Sequence, residues 1–201
     1  MKKVLCMLMC ILMIVCAASC NQKQEEGAPD GMKKASVDGA GYSVYVPQDW
    51  IVTTGEKSLM SEARVSEEDS SNVTVMRYFN SSVEIDVTVE NYEEIAIRDY
   101  WKEYMSSLES VFDKDEKGNS TMVLKDENGY KSVMGTGWKG CEAVAIEYDY
   151  TATLGGVDLY YAQIISYYDG YFYVITFTTR PDFFEDYSAY VAEIVKYIKI
   201  K

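Results

Sequence analysis

The chain contains no histidine. That removes the imidazole general base and the commonest nitrogen ligand for zinc. No glycine-rich loop of the phosphate-cradling kind occurs either. Positive charge is also short. Lysine and arginine number 19 against 32 acidic residues, a net charge of −13. Removing Met1 to Ser19 takes away Lys2 and Lys3 and no acid, which leaves about −15. Phosphate backbones need cations, so nucleic acid is excluded as a partner. Docking on an anionic membrane by charge alone is excluded for the same reason. The plain consequence of this charge is solubility.

Cysteine is scarce where it would matter for folding. Of five cysteines, Cys6, Cys10 and Cys16 fall within one apolar run, Val4 to Ala18. That run follows Lys2 and Lys3 and is shorter than the roughly twenty residues that cross a bilayer comfortably. It reads as the core of a signal peptide. Ala17, Ala18, Ser19 and Cys20 come next, and this block resembles the lipobox of bacterial lipoproteins. The resemblance implies cleavage before Cys20 and fatty acylation of its thiol, palmitate-type chains included. Several chains together hold a protein on a membrane. Ala17 stands where that family usually has Leu. Cleavage by ordinary signal peptidase after Ala18 and retention as an uncleaved anchor are the alternatives. With Cys20 lipidated, Cys141 has no partner and no disulfide framework exists. Cys141 then reads as a small core residue.

The expected organisation is a signal peptide over 1–19, a polar tether over 20–40 and one domain over 41–201. The domain, at roughly 160 residues, can bury a core unaided. The tether, NQKQEEGAPDGMKKASVDGA, is polar and has no apolar period. The location implied is the outer face of the cell membrane, with the lipid as anchor.

Within the domain, Tyr42 to Val46 alternates as a strand and Pro47 ends it. Trp50 to Val52, Val73 to Phe79 and Val83 to Val89 read as further strands, with Ser66 to Asn72 a loop. The period then changes. Asn91 and Glu94 form a capping-box pattern before a helix from about Tyr92 to Leu108. Its stripe is Ile97, Trp101, Tyr104 and Leu108, with Tyr100 and Met105 beside it. Turn signals follow at Lys117-Gly118-Asn119, Asn128-Gly129, Gly155-Gly156 and Asp169-Gly170, which predicts an antiparallel hairpin meander. If Gly155-Gly156 is a two-residue loop, Ile146 opposes Ile165, Tyr150 opposes Tyr161 and Ala152 opposes Leu159. Asp169-Gly170 likewise places Val174 beside Ile165 and Ile175 beside Ile164. Pro181 opens a last helix, whose apolar stripe runs Phe184, Tyr187, Val191, Ile194, Val195 and Ile198. The fold class is α+β: an antiparallel sheet of six or seven strands between helices.

The block Tyr42-Ser43-Val44-Tyr45-Val46-Pro47-Gln48-Asp49-Trp50 resembles the opening of the PsbP-like fold. The stretch Asp169 to Phe177, followed by a closing helix, resembles its end. The similarity spans about Gly41 to Lys201, with Val83 to Val89 as a possible extra strand. It implies an antiparallel sheet between helix layers but not one function, and members of that fold are mostly non-catalytic binders or assembly factors. It carries over no catalytic residue and no cofactor.

Three groups of side chains are candidate sites. Glu147, Asp149 and Asp158 could converge as a cation or acid-pair site near the Gly155-Gly156 end. Tyr148, Tyr150 and Tyr161, within a run of strand tyrosines, could form an aromatic surface for a glycan, peptide or protein partner. Asp113, Asp115, Glu116 and Asn119 faintly resemble a calcium loop without EF-hand spacing. The expected function is a membrane-anchored binding or assembly module. A carboxylate- or metal-dependent envelope hydrolase is one alternative, and a solute-capturing lipoprotein the other.

Overall fold

The computed structural model describes residues 27–55, 60–79, 84–126, 129–136 and 143–201, with 131–136 and 143–144 described by their backbone. The leader, Cys20, Cys141 and the Asn80-Ser81-Ser82 turn lie outside the described residues, as does Asn128.

The elements in chain order are β1 (Met32–Lys34), β2 (Tyr42–Ser43), β3 (Tyr45–Pro47), β4 (Ile51–Val52), β5 (Met60–Arg64) and β6 (Asn72–Tyr78). Then come α1 (Tyr92–Leu108), β7 (Val123–Leu124), β8 (Lys131–Thr136), β9 (Ala143–Leu154), β10 (Val157–Tyr168) and β11 (Tyr171–Thr179). A 3-10 turn (Pro181–Phe183), α2 (Phe184–Tyr197) and β12 (Lys199–Ile200) close the chain. Seven strands lie in the order β4-β5-β6-β11-β10-β9-β7, and β8 shares the β7 edge of β9. Every pairing in this sheet is antiparallel.

The two hairpins that organise the sheet follow directly from their turns. Gly155 and Gly156 have φ of 59° and 79°, and Asp169 and Gly170 have 48° and 79°. Two-residue loops of this kind need positive φ at both positions. They pin Leu154 to Val157 and Tyr168 to Tyr171. Ile146 therefore opposes Ile165, Tyr150 opposes Tyr161, Ala152 opposes Leu159 and Val174 opposes Ile165, as the sequence predicts. β11 then leaves the meander and pairs with β6, which joins the two halves of the chain.

Successive residues of a strand point to opposite faces. One face carries Ile146, Tyr148, Tyr150, Tyr161, Ile165, Phe172 and Val174, and α1 covers it with Ile97, Tyr100 and Met105. The other carries Val73, Val75, Tyr173, Ile175 and Phe177, and meets Ile194 and Ile198 at the end of α2. The same core takes in Tyr42, Val44, Val46 and Trp50. The Tyr42 hydroxyl donates to the Val75 carbonyl (2.7 Å) and accepts from the Ser61 amide (3.0 Å), tying this opening block to β5 and β6. Trp50 meets the Tyr187 ring edge-on at 6.4 Å.

Four local expectations are corrected. The predicted strand from Tyr42 to Val46 breaks at Val44 into β2 and β3, which pair with β12 and β1 rather than with the main sheet. The segment expected as tether belongs to the domain from β1 onward: Met32, Ala35 and Ala40 are buried, and the Ala35 amide donates to the Val44 carbonyl. Its short apolar residues are spaced too irregularly to show a period. Among the described residues, 84–91 form no strand. The Asp86 carboxylate takes the Thr88 amide and hydroxyl, a local turn that competes with ladder pairing, and Val87 and Val89 stay exposed. Finally, Asn91 precedes α1 with φ of 61°, a backbone from which its side chain makes no cap. Glu94 pairs with Arg98 instead of reaching back.

Candidate functional site

The two helices are offset. α1 packs on β9 and β10, whereas α2 meets the opposite face over β10, β11 and the opening strands. On the α2 side, the outer part of β9 therefore has no helix above it. A cleft of about 510 Å³ opens there, between α2 and the strands. Its floor is Ala162, Ile164, Ile175 and Phe177, and its wall is Phe184, Val191 and Val195. Ser188 and Ala192 stand one turn apart on the same wall. Residues at i and i+4 share a helix face, and small side chains there leave the space that Leu or Ile would fill. Phe184 lies against the Tyr160 ring at 4.1 Å between centroids.

Glu147 and Asp149 rise from β9 at the rim of this cleft. They are two residues apart in a strand, so they share a face with Cα atoms about 6.6 Å apart. Asp149 Oδ2 accepts a hydrogen bond from the Tyr160 hydroxyl at 3.0 Å. Burial, and then the negative charge of Asp149, push the Tyr160 phenol well above its usual range, so it stays a donor. A smaller recess of about 80 Å³ lies on the far side of the same two acids, beside Lys125 and Asp126. Lys131 stands opposite Glu147 in the β8–β9 register. Lys196 lies at the helix side of the cleft and pairs with Glu193 at 3.6 Å.

Asp158 does not join this pair. It stands opposite Thr153, four positions and about 13 Å along the ladder from Asp149. Its Oδ1 accepts from Thr153 Oγ1 at 2.7 Å. The proposed three-acid convergence is thus reduced to two acids on a cleft. The faint calcium loop also resolves into ordinary turn chemistry. Asp115 Oδ1 accepts from the Lys117 and Asn119 amides, and these bonds outweigh burial to hold its carboxyl below the usual range. Asp113 caps the β9–β10 turn by accepting from the Gly155 and Gly156 amides. Among the described residues, no three Cys, Asp or Glu side chains gather as a metal site.

The aromatic surface expected at Tyr148, Tyr150 and Tyr161 is interior. These residues are 2%, 1% and 8% exposed, beneath α1 and Phe112. Tyr150 and Tyr161 stack at 4.6 Å with planes 8° apart. The Tyr148 hydroxyl donates to Gln163 Oε1 (2.5 Å), and Gln163 Nε2 donates to Thr176 Oγ1 (2.7 Å) and Tyr104 (3.4 Å). Burial raises the Tyr148 phenol far above its normal range. A strand tyrosine reads the same in sequence whether a helix covers it or water does, because α1 is placed on that face only by tertiary packing.

With this geometry in view, the solved structures supply the frame. The cyanobacterial PsbP protein of Synechocystis sp. PCC 6803 superposes with a TM-score of 0.58 at 12% identity, over 90% of this chain and 99% of that one. The domain has a PsbP-like fold. LpqN of Mycobacterium tuberculosis, described as involved in cell envelope biogenesis, matches at a TM-score of 0.50 and 10% identity, over 85% of this chain and 91% of that one. A Pseudomonas aeruginosa protein of unknown function matches at a TM-score of 0.50 and 14% identity, over 82% and 94% of the two chains. No family model and no curated protein matches the chain by sequence. At these identities the PsbP-like likeness concerns the fold. The cleft residues missed by sequence reasoning, above all Ala162, Phe177, Ser188 and Ala192, belong to this chain's own packing. Their only trace in the sequence is the pair of small residues on an otherwise apolar helix stripe.

Proposed function

We propose that this chain is a lipid-anchored protein of the cell envelope whose PsbP-like domain works as a non-catalytic binding module through the α2 cleft. The observation that carries this reading is the cleft itself. It is an apolar, open recess of about 510 Å³ with two carboxylates on one rim, within the roughly 300–1,000 Å³ span of binding pockets. Lipidation of Cys20 would hold the cleft at the outer face of the membrane. Among the described residues no helix is long and apolar enough to cross a bilayer. The envelope role of LpqN, a protein of similar fold, points the same way.

A photocross-linking amino acid at Ser188, in the full chain in its own cells, tests the cleft. The expected result is a defined adduct that disappears when Ala162→Trp fills the floor. The same probe at Lys102, on the exposed side of α1, should give none. Adducts of equal yield from both positions would refute the reading. Cys20→Ser tests the anchor separately: the variant should leave the membrane fraction and mature at a different size.

A further inference from the structure

The two rim acids say what the cleft selects. Glu147 and Asp149 form no ion pair among the described residues, although Arg64, Arg98, Lys102, Arg180 and Lys196 all do. Lys196, the cation on the cleft's own helix, is turned to Glu193. Tyr160 occupies Oδ2 of Asp149, which leaves Oδ1 and, among the described residues, the Glu147 carboxylate for an incoming donor. Below them the floor offers only aliphatic and phenyl groups. We propose that the cleft accepts a basic, apolar peptide segment. Its Lys or Arg sits on Glu147 and Asp149, and its apolar side chains lie on Ala162, Ile164 and Phe177. This rests on the reading of the cleft as the binding site and adds the class of its occupant.

The chemistry discriminates among occupants. A glycan would bring hydroxyls to a floor without partners for them, and unpaired polar groups are costly to bury. A phospholipid would bring a phosphate toward two carboxylates, and like charges repel. A basic apolar segment satisfies both halves of the cleft. Its aliphatic stem covers apolar surface while the charged head stays at the wet rim. Charge-assisted hydrogen bonds to carboxylates are the stronger kind. The net charge of −13 also favours the approach of a cation over an anion.

The test uses the full chain in phosphatidylcholine nanodiscs and three fluorescent peptides read by anisotropy: LKLVKLV, the acidic LELVELV and the polar SKSSKSS. LKLVKLV should bind at least tenfold more tightly than either other peptide. Glu147→Gln with Asp149→Asn should weaken it about tenfold and flatten its salt dependence. Both changes are near-isosteric, and an unchanged near-ultraviolet circular dichroism spectrum checks the fold. Glu109→Gln with Glu116→Gln removes the same charge elsewhere and should change binding less than twofold. Equal binding of LELVELV, or indifference to the Glu147 and Asp149 changes, overturns the proposal. So does equal uptake of LKLVKLV by empty nanodiscs. If no peptide binds while the Ser188 adduct persists, the peptide proposal falls and the cleft stands as the site of another ligand.

Discussion

The two faces of the sheet are built from the same strands but end in opposite conditions. The face beneath α1 is aromatic and closed: Tyr100, Tyr148, Tyr150, Tyr161 and Phe172 pack on one another, and Gln163 bonds the Tyr148 hydroxyl within the core. The face beneath α2 is mainly aliphatic and only part covered, so that Ala162, Ile164 and Phe177 meet open space near Glu147 and Asp149. The tyrosine-rich core seals one face, and the offset of α2 leaves part of the other open.

The largest expected effect separates the faces by stability. Phe172 is fully buried and stacks on Tyr100 at 4.4 Å. Phe172→Ala should cost about 3–5 kcal/mol by chemical denaturation, as truncation of a buried aromatic does. Phe184→Ala, in the half-open cleft wall, should cost well under half of that while abolishing the Ser188 adduct. Similar losses from the two variants would mean that the faces are equally packed. Next comes the polar network of the closed face. Gln163→Leu leaves the hydroxyls of Tyr148 and Thr176 without their partner and should cost about 1–3 kcal/mol. A neutral outcome would show that these groups find other partners.

An intermediate effect distinguishes the far side of α2 by pH. The Tyr187 hydroxyl donates to Asp69 at 2.5 Å. Burial alone would raise the Asp69 carboxyl, but the hydrogen bonds from Tyr187 and Ser71 prevail and hold it below 3.8. That stability is present above the unfolded value near 3.8 and is lost as pH falls through the lower folded value. The same bond pushes the Tyr187 phenol up to about 12, so its contribution is present below pH 10 and is lost as pH rises through 12. Asp69→Asn should flatten the acid limb of thermal stability below about pH 4, and a limb as steep as that of the unaltered chain would count against the bond. The smallest effect concerns the closed face again. Among the described residues, the Tyr78 hydroxyl and the Trp101 indole N–H have no partner there. Tyr78→Phe should leave the melting temperature unchanged or slightly raised; a clear drop would reveal a bond at that hydroxyl.

Much of the fold was legible in the residues. Gly155-Gly156 and Asp169-Gly170 dictated the register of three long strands, and Pro181 marked the start of the turn into α2. The helix over Tyr92–Leu108 followed from its apolar spacing. The strand expected through Val87 and Val89 was illegible as a turn because the deciding bonds come from Asp86, whose effect alternation does not show. The candidate site was half legible. Glu147 and Asp149 share a strand face by simple parity. The opposite parity of Tyr148 and Tyr150 becomes burial only where α1 settles, whereas the Gly155-Gly156 turn by itself sets Asp158 opposite Thr153. Helix placement arises from contacts between elements far apart in sequence, and no local pattern records it.

Thiol accessibility measures the contrast between the faces most directly. Cysteine introduced at Ala162 on the cleft floor is compared with cysteine at Ala152 on the sealed face, both in a chain whose five native cysteines are changed to Ser. The maleimide dye should label position 162 readily in the folded protein. Position 152 should react only at the rate of unfolding, many times more slowly. Equal rates at the two positions would contradict the account.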